Sequence, residues 1–173
     1  MCMESGLSRY KNSINWGLKS IDIQVEDKEN IKWETIEEFR KLHIQEAGRE
    51  TRSLESWKRQ FEMVKNDEAF AVLGYMKNNM VAAGFFLKSK NNCFYLSSAS
   101  RRELFDKPIF HSLMWEAILD AKKRGCLIFE IGEQKFPNQA FKTLPSKKEI
   151  NISEFKSGFG GSCEIVIDIL LRK

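Results

Sequence analysis

Three stretches of this chain hold side chains whose types and spacing suit chemistry on an anion or a carbonyl. The first is Gly48-Arg49-Glu50-Thr51-Arg52, with Trp57 shortly after it. Guanidinium forks beside a helix N-terminus pair with phosphate or carboxylate, so Arg49 and Arg52 form a candidate anion clamp; a solvated interhelical loop accounts for the same residues. The second is Ser100-Arg101-Arg102. It leaves a strand-like run just ahead of helix N-terminal amides, which suits a phosphate-bearing ligand, although the glycine spacing of a dedicated phosphate loop is missing. The third is Phe155-Lys156-Ser157-Gly158-Phe159-Gly160-Gly161. Its glycines permit close backbone approach, and a lysine held there could stabilise developing negative charge; a hairpin turn packed by the two phenylalanines is the alternative.

Positioning these residues falls to elements that the hydrophobic periodicity outlines. Tyr10, Ile14 and Leu18 suggest a short uncapped helix within residues 1–20, and Ile21, Ile23 and Val25 alternate as a half-buried strand. Thr35 to Glu38 reads as a capping box opening a helix with Ile36, Phe39, Leu42 and His43 on one face, ending near Gly48. A second helix starts at Ser53 and carries Leu54, Trp57, Phe61 and Val64. Ala69–Tyr75, Met80–Leu87 and Cys93–Ala99 read as an antiparallel meander, turning at Asn78-Asn79 and at residues 88–92. Asp106 is the expected N-cap of a helix carrying Ile109, Leu113, Ala117, Ile118 and Ala121, which stops at Gly125 behind Lys122-Lys123-Arg124. The apolar run Cys126–Ile131 predicts a fully covered strand. A short helix around Gln139–Leu144 and a last strand over Ile165–Leu171 follow. Helices must cover both faces of such a sheet, so the expected class is α/β (α+β), a mixed and largely antiparallel sheet between helices.

Composition narrows the function classes. The chain has 173 residues, 42% hydrophobic and 30% charged, with a net charge of +4, so it should bury a core and fold. Its basic residues are dispersed, Arg101-Arg102 and Lys122-Lys123-Arg124 being the densest clusters; no basic stripe marks a DNA-binding face. The four cysteines and two histidines show no metal-ligand spacing, so no metal is expected, and Cys93, Cys126 and Cys163 read as buried thiols beside strands. No signal peptide or membrane-length apolar run is present, which predicts a cytoplasmic protein.

The run from Arg40-Lys41-Leu42-His43 through Gly48–Ser53 to Trp57, then Ser100-Arg101-Arg102, His111, Phe129-Glu130-Ile131-Gly132 and Ile152–Gly161, resembles the FemAB-like branch of the GNAT acyltransferase fold. The resemblance covers nearly the whole chain and is most specific at Phe155–Gly161. It implies an acyltransferase moving an acyl or aminoacyl group to an amine of a cell-envelope or surface-glycan precursor, from an acyl-CoA (acetyl-CoA) or an aminoacyl-tRNA. An acetyl-CoA-dependent N-acetyltransferase of a small molecule is the alternative within the class; a non-catalytic binding lobe is the alternative outside it. Family enzymes usually hold two lobes. Residues 1–30 then resemble the remnant or linker of a preceding lobe and residues 31–173 the second, and a missing first lobe or a homodimer would cover the face left over.

Residue by residue, the resemblance makes Lys156 the group beside the reacting centre. It makes Arg49, Arg52, Trp57, Phe155, Gly158 and Phe159 acceptor-binding, and Ser100, Arg101 and Arg102 donor-binding. Glu130 and Glu133, at the end of a covered strand, are the candidate general bases, since partial burial would raise a carboxylate's pKa toward neutrality. His111, in the middle of a helix, reads as a core histidine.

Overall fold

The computed structural model describes residues 3–138 and 144–165, with side chains from residue 9 onward. The chain divides into two compact units, residues 11–132 and residues 1–10 with 133–173. The expectations for Gln139–Leu144 and Ile165–Leu171 fall almost entirely outside the described residues.

The elements in chain order are α1 (Met3–Ser20), β1 (Asp22–Glu26), α2 (Trp33–Ala47), α3 (Leu54–Lys65), β2 (Ala69–Met76), β3 (Asn79–Lys88), β4 (Asn92–Ser100), α4 (Ile109–Lys123), β5 (Ile128–Glu130) and α5 (Lys147–Ser157). Among the described residues, five strands form one sheet in the order β1-β2-β3-β4-β5. All neighbours are antiparallel except β4 and β5, which run parallel. The β2–β3 turn sits one residue earlier than its sequence suggests. Lys77 and Asn78 take φ of 50° and 63°, the left-handed pair that a tight hairpin with the right twist demands, and Asn79 already belongs to β3.

The two sheet faces have separate cores. On one, Ala71 and Leu73 of β2 and Ala83 and Phe85 of β3 pack with Ile36, Phe39 and Leu42 of α2 and Trp57 and Val64 of α3. On the other lies an aromatic layer: Phe70 stacks on Phe86 at 5.2 Å, and Tyr95 meets Phe86 at 5.6 Å and Phe110 of α4 at 5.9 Å. Each such side chain, fully buried, stabilises the fold by roughly 1.5–3 kcal/mol. Glycines let α4 approach: a Cβ at Gly74 would meet Leu113 at 2.9 Å, and one at Gly84 would meet Phe110 at 3.1 Å. Helices therefore cover both faces of a largely antiparallel sheet, as the periodicity requires.

Several helix boundaries differ from expectation. Helix α2 starts at Trp33, with Lys32 at the N-cap and no side-chain cap, so Thr35 lies inside it. The preceding turn, closed by Ile31 N–H donating to the Asp27 carbonyl at 2.9 Å, delivers a buried Ile31 and starts the helix early. Helix α4 has Pro108 at its N-cap rather than Asp106, because a 3-10 turn over Arg102–Leu104 takes up the intervening chain. Its end matches expectation: Gly125 is left-handed at φ 87°, and Cys126 N–H donates to the Ala121 carbonyl at 3.0 Å. The run Cys126–Ile131 is not a covered strand. Among the described residues only Ile128–Glu130 pair, at the end of the sheet order, and Leu127 is 81% and Ile128 56% exposed. Of the cysteines, Cys93 is buried, Cys126 half-buried and Cys163 exposed, so the buried-thiol reading fails for Cys163.

Candidate active site

Strand β4 is irregular in two ways that matter chemically. Its register against β3 passes from Phe86↔Tyr95 to Phe85↔Ser97, which leaves Leu96 as an extra residue, a β-bulge. Leu96 is 38% exposed, whereas the hydroxyl of its neighbour Ser97 is buried without a hydrogen-bond partner. The second irregularity concerns the other edge. Pairing with β5 covers only Asn92, Cys93 and Phe94, so among the described residues Tyr95–Ser100 have β3 as their sole strand neighbour. A strand edge with unmatched amides and carbonyls can take an extended ligand by main-chain hydrogen bonds. At this point Tyr95 Oη and Ser98 Oγ form a short hydrogen bond. Burial raises the phenol's pKa, so Tyr95 stays protonated at neutrality.

Ser100, the last residue of β4, pairs with Ala82, and the chain then enters the 3-10 turn. Arg101 does not project outward. Its N–H donates to the Val81 carbonyl and its Nε to the Met80 carbonyl, both at 2.9 Å, while Nη1 lies 3.6 Å from Glu103. The guanidinium thus clamps the start of β3. Arg102 is exposed, and its backbone N–H donates to Glu46 Oε2 at 3.0 Å, so a carboxylate from the last turn of α2 already takes this amide.

The α2–α3 junction gathers the first cluster. Gly48, at φ 71°, ends α2, and the Ser53 hydroxyl caps α3 by accepting from Ser56 N–H at 3.2 Å. Arg49 is exposed. Arg52 is half-buried, its guanidinium over the Trp57 ring at 5.8 Å and its Nη1 buried with no hydrogen-bond partner. Trp57, 1% exposed, meets Phe39 edge-on at 5.2 Å and His43 at 5.5 Å. His43 Nδ1 and Thr51 Oγ1 lie 3.4 Å apart. Burial, then the Arg52 charge, lowers the His43 pKa, leaving a neutral imidazole at pH 7. Glu50 is engaged by Arg40 at 3.4 Å, and Arg40 also holds Glu37 at 2.7 Å.

In the other unit, the Phe155–Gly161 stretch is not a hairpin turn. Phe155, Lys156 and Ser157 form the end of α5, which opens with a complete capping box between Ser146 and Glu149. Gly158 has a right-handed φ of −68°, and its missing Cβ makes room for Tyr10, whose ring such an atom would meet at 2.1 Å. Tyr10 lies 5.1 Å from Phe159 and 6.1 Å from Phe155. Lys156 Nζ donates to the Glu133 carbonyl at 3.2 Å, and burial lowers its pKa. The Glu133 carboxylate pairs with Lys135. Glu130 and Glu133 are both exposed, so neither is the partly buried carboxylate that the sequence suggests. His111, in the first turn of α4, is half-buried, with its pKa lowered by burial.

Sequence reasoning singles out Arg52 and Trp57 but reads His43 only as part of a helix face, and it misses the β4 bulge. The only signal for it was the paired serines Ser97-Ser98 interrupting an apolar alternation.

No protein-family model matches the chain, and no curated protein matches it in sequence. Solved structures do. An aminoglycoside acetyltransferase from an uncultured soil metagenomic sample, in complex with sisomicin, superposes with a TM-score of 0.67 at 7% identity, covering 90% of this chain and 97% of that one. This chain has the GNAT fold. The GNAT-fold aminoglycoside N-acetyltransferase AAC(6')-Iy, bound to a CoA bisubstrate analogue, gives 0.65 at 12% identity over 88% and 99% of the two chains. Ribosomal-protein-alanine N-acetyltransferase from Brucella melitensis biovar Abortus 2308 gives 0.59 at 12% identity over 89% and 99%. Among the described residues no helix is long and apolar enough to cross a membrane, and no cluster of acidic, cysteine and histidine side chains could hold a metal ion.

Proposed function

We propose that this chain is an N-acyltransferase that moves an acyl group from an acyl-CoA to a primary amine. The observation that carries the reading is the departure of β5 from β4 after Phe94, beside the bulge at Leu96. An extended acyl-thioester arm would lie along the unmatched edge of Tyr95–Ser100, as a further strand would. Its carbonyl oxygen would meet an amide freed by the bulge, the kind of fixed donor that stabilises a tetrahedral oxyanion. The neutral amine attacks the thioester carbon, the C–S bond breaks, the ammonium proton passes to water, and the leaving thiolate takes a proton. Tyr95, held neutral and hydrogen-bonded to Ser98, is the assigned donor of that proton and regains one from water. The solved AAC(6')-Iy complexes with CoA and with a CoA bisubstrate analogue support an acyl-CoA donor on this fold.

The finer form of the reading, a FemAB-like enzyme whose acceptor is a cell-envelope or surface-glycan amine, rests on the sequence resemblance, most specific at Phe155–Gly161. Lys156 is then assigned to the reaction, and Lys156→Ala should lower kcat about 10²- to 10³-fold with the fold retained.

Calorimetric titration with acetyl-CoA tests the central reading. Saturable binding, together with thiol release that depends on an added amine, is expected. A folded chain that binds no acetyl-CoA overturns it and leaves an aminoacyl-tRNA donor or a binding lobe to be tested.

A further inference from the structure

The α2–α3 junction contains a positive charge without a counter-charge. Arg52 Nη1 is buried and has no hydrogen-bond partner, and its Cζ lies over the Trp57 ring at 5.8 Å from the centroid. The nearby carboxylate Glu50 is taken by Arg40, which also holds Glu37, and the Ser53 hydroxyl accepts the Ser56 amide. A buried charged donor left unmatched costs free energy that only an anion in its plane would recover. The planar guanidinium fork suits the two-pronged geometry of a carboxylate. His43, the other titratable ring at the spot, is neutral at pH 7 and adds no second charge, so a monoanion matches better than a phosphate dianion. Location adds to this. Glu46, one turn after His43 on α2, accepts the Arg102 amide where β4 ends, and residues three apart on a helix are neighbours about 5–6 Å apart.

We infer that Arg52, framed by Trp57 and His43, recognises a carboxylate on the acceptor, so that the amine acylated belongs to an amino acid or peptide rather than to a polycationic sugar. The inference rests on the amine-acylating reading above for the word acceptor. The anion site itself does not.

The test is a side-chain NMR titration of the Arg52 Nε–H resonance with glycylglycine, glycylglycinamide and inorganic phosphate, with acetyl-CoA affinity measured in parallel. A saturable shift with glycylglycine and none with the amide is expected. Arg52→Lys, which keeps the charge but loses the fork, should weaken glycylglycine binding about 10- to 100-fold while acetyl-CoA affinity stays at the wild-type value. Equal response to the two dipeptides, response to neither, or preference for phosphate overturns the inference. Carboxylate binding by a chain that ignores acetyl-CoA sinks the transferase reading and leaves the carboxylate site standing.

Discussion

Removing the Trp57 indole would take away the surface on which Phe39, His43 and the Arg52 guanidinium rest. Trp57→Ala should destabilise the larger unit by about 3–5 kcal/mol, the cost of deleting a fully buried aromatic, whereas Trp57→Phe should cost much less; denaturant unfolding separates the two. His43 ties the same cluster to pH. Its folded pKa lies below its unfolded value, so the unfolded state binds the proton first and stability falls as pH drops from the unfolded pKa to the folded one. Replacing His43 by Gln should flatten that part of the stability profile, which unfolding curves between pH 7 and pH 5 would reveal. Two members of this cluster are legible, Arg52 by its type just before a helix start and Trp57 by its helical spacing, whereas His43 reads only as part of the apolar face of α2. The placement of Arg101 is not legible: its guanidinium turns back onto the Met80 carbonyl, a choice set by where β3 begins and invisible in the local sequence.

At the scale of elements, the sequence reading succeeded where periodicity is long and failed where a short pattern was judged alone. The capping pattern at Thr35–Glu38 is inside α2, while the one that operates, Ser146 with Glu149, was passed over because the helix it opens has almost no amphipathic pattern. Ser146→Ala should cost about 0.5–2 kcal/mol of local helix stability, seen as faster amide exchange over residues 147–157 with residues 11–132 unaffected. Strand β5 misled for a related reason. An apolar run suggests burial, but whether a strand lies inside a sheet or at its margin depends on what packs beside it. Helix α1 gives a sharper case. A Cβ at Gly17 would lie 2.1 Å from Ser112 Oγ and 2.6 Å from its Cβ. Gly17→Ala should therefore destabilise by roughly 1–3 kcal/mol through overpacking against α4, and Ser112→Gly should recover part of that loss in a double-mutant cycle.

For the molecule as a whole, the mixed sheet between helices followed from element order, because a three-strand meander followed by a helix and a strand leaves few ways to cover both faces. If the donor binds the folded chain alone, acetyl-CoA at a hundred times its Kd should raise stability by about 2.7 kcal/mol. A scanning melt should then move upward by roughly 5–10 °C. The meander has a kinetic consequence as well. Strands β2, β3 and β4 each pair with the next along the chain, so residues 69–100 need only short loops to close. Strand β1 pairs with β2 across both α2 and α3 and must wait for a much longer closure. Pulsed amide labelling during refolding should find residues 69–88 protected first and residues 22–26 late, so that the hairpin assembles before the helices have a floor on which to dock.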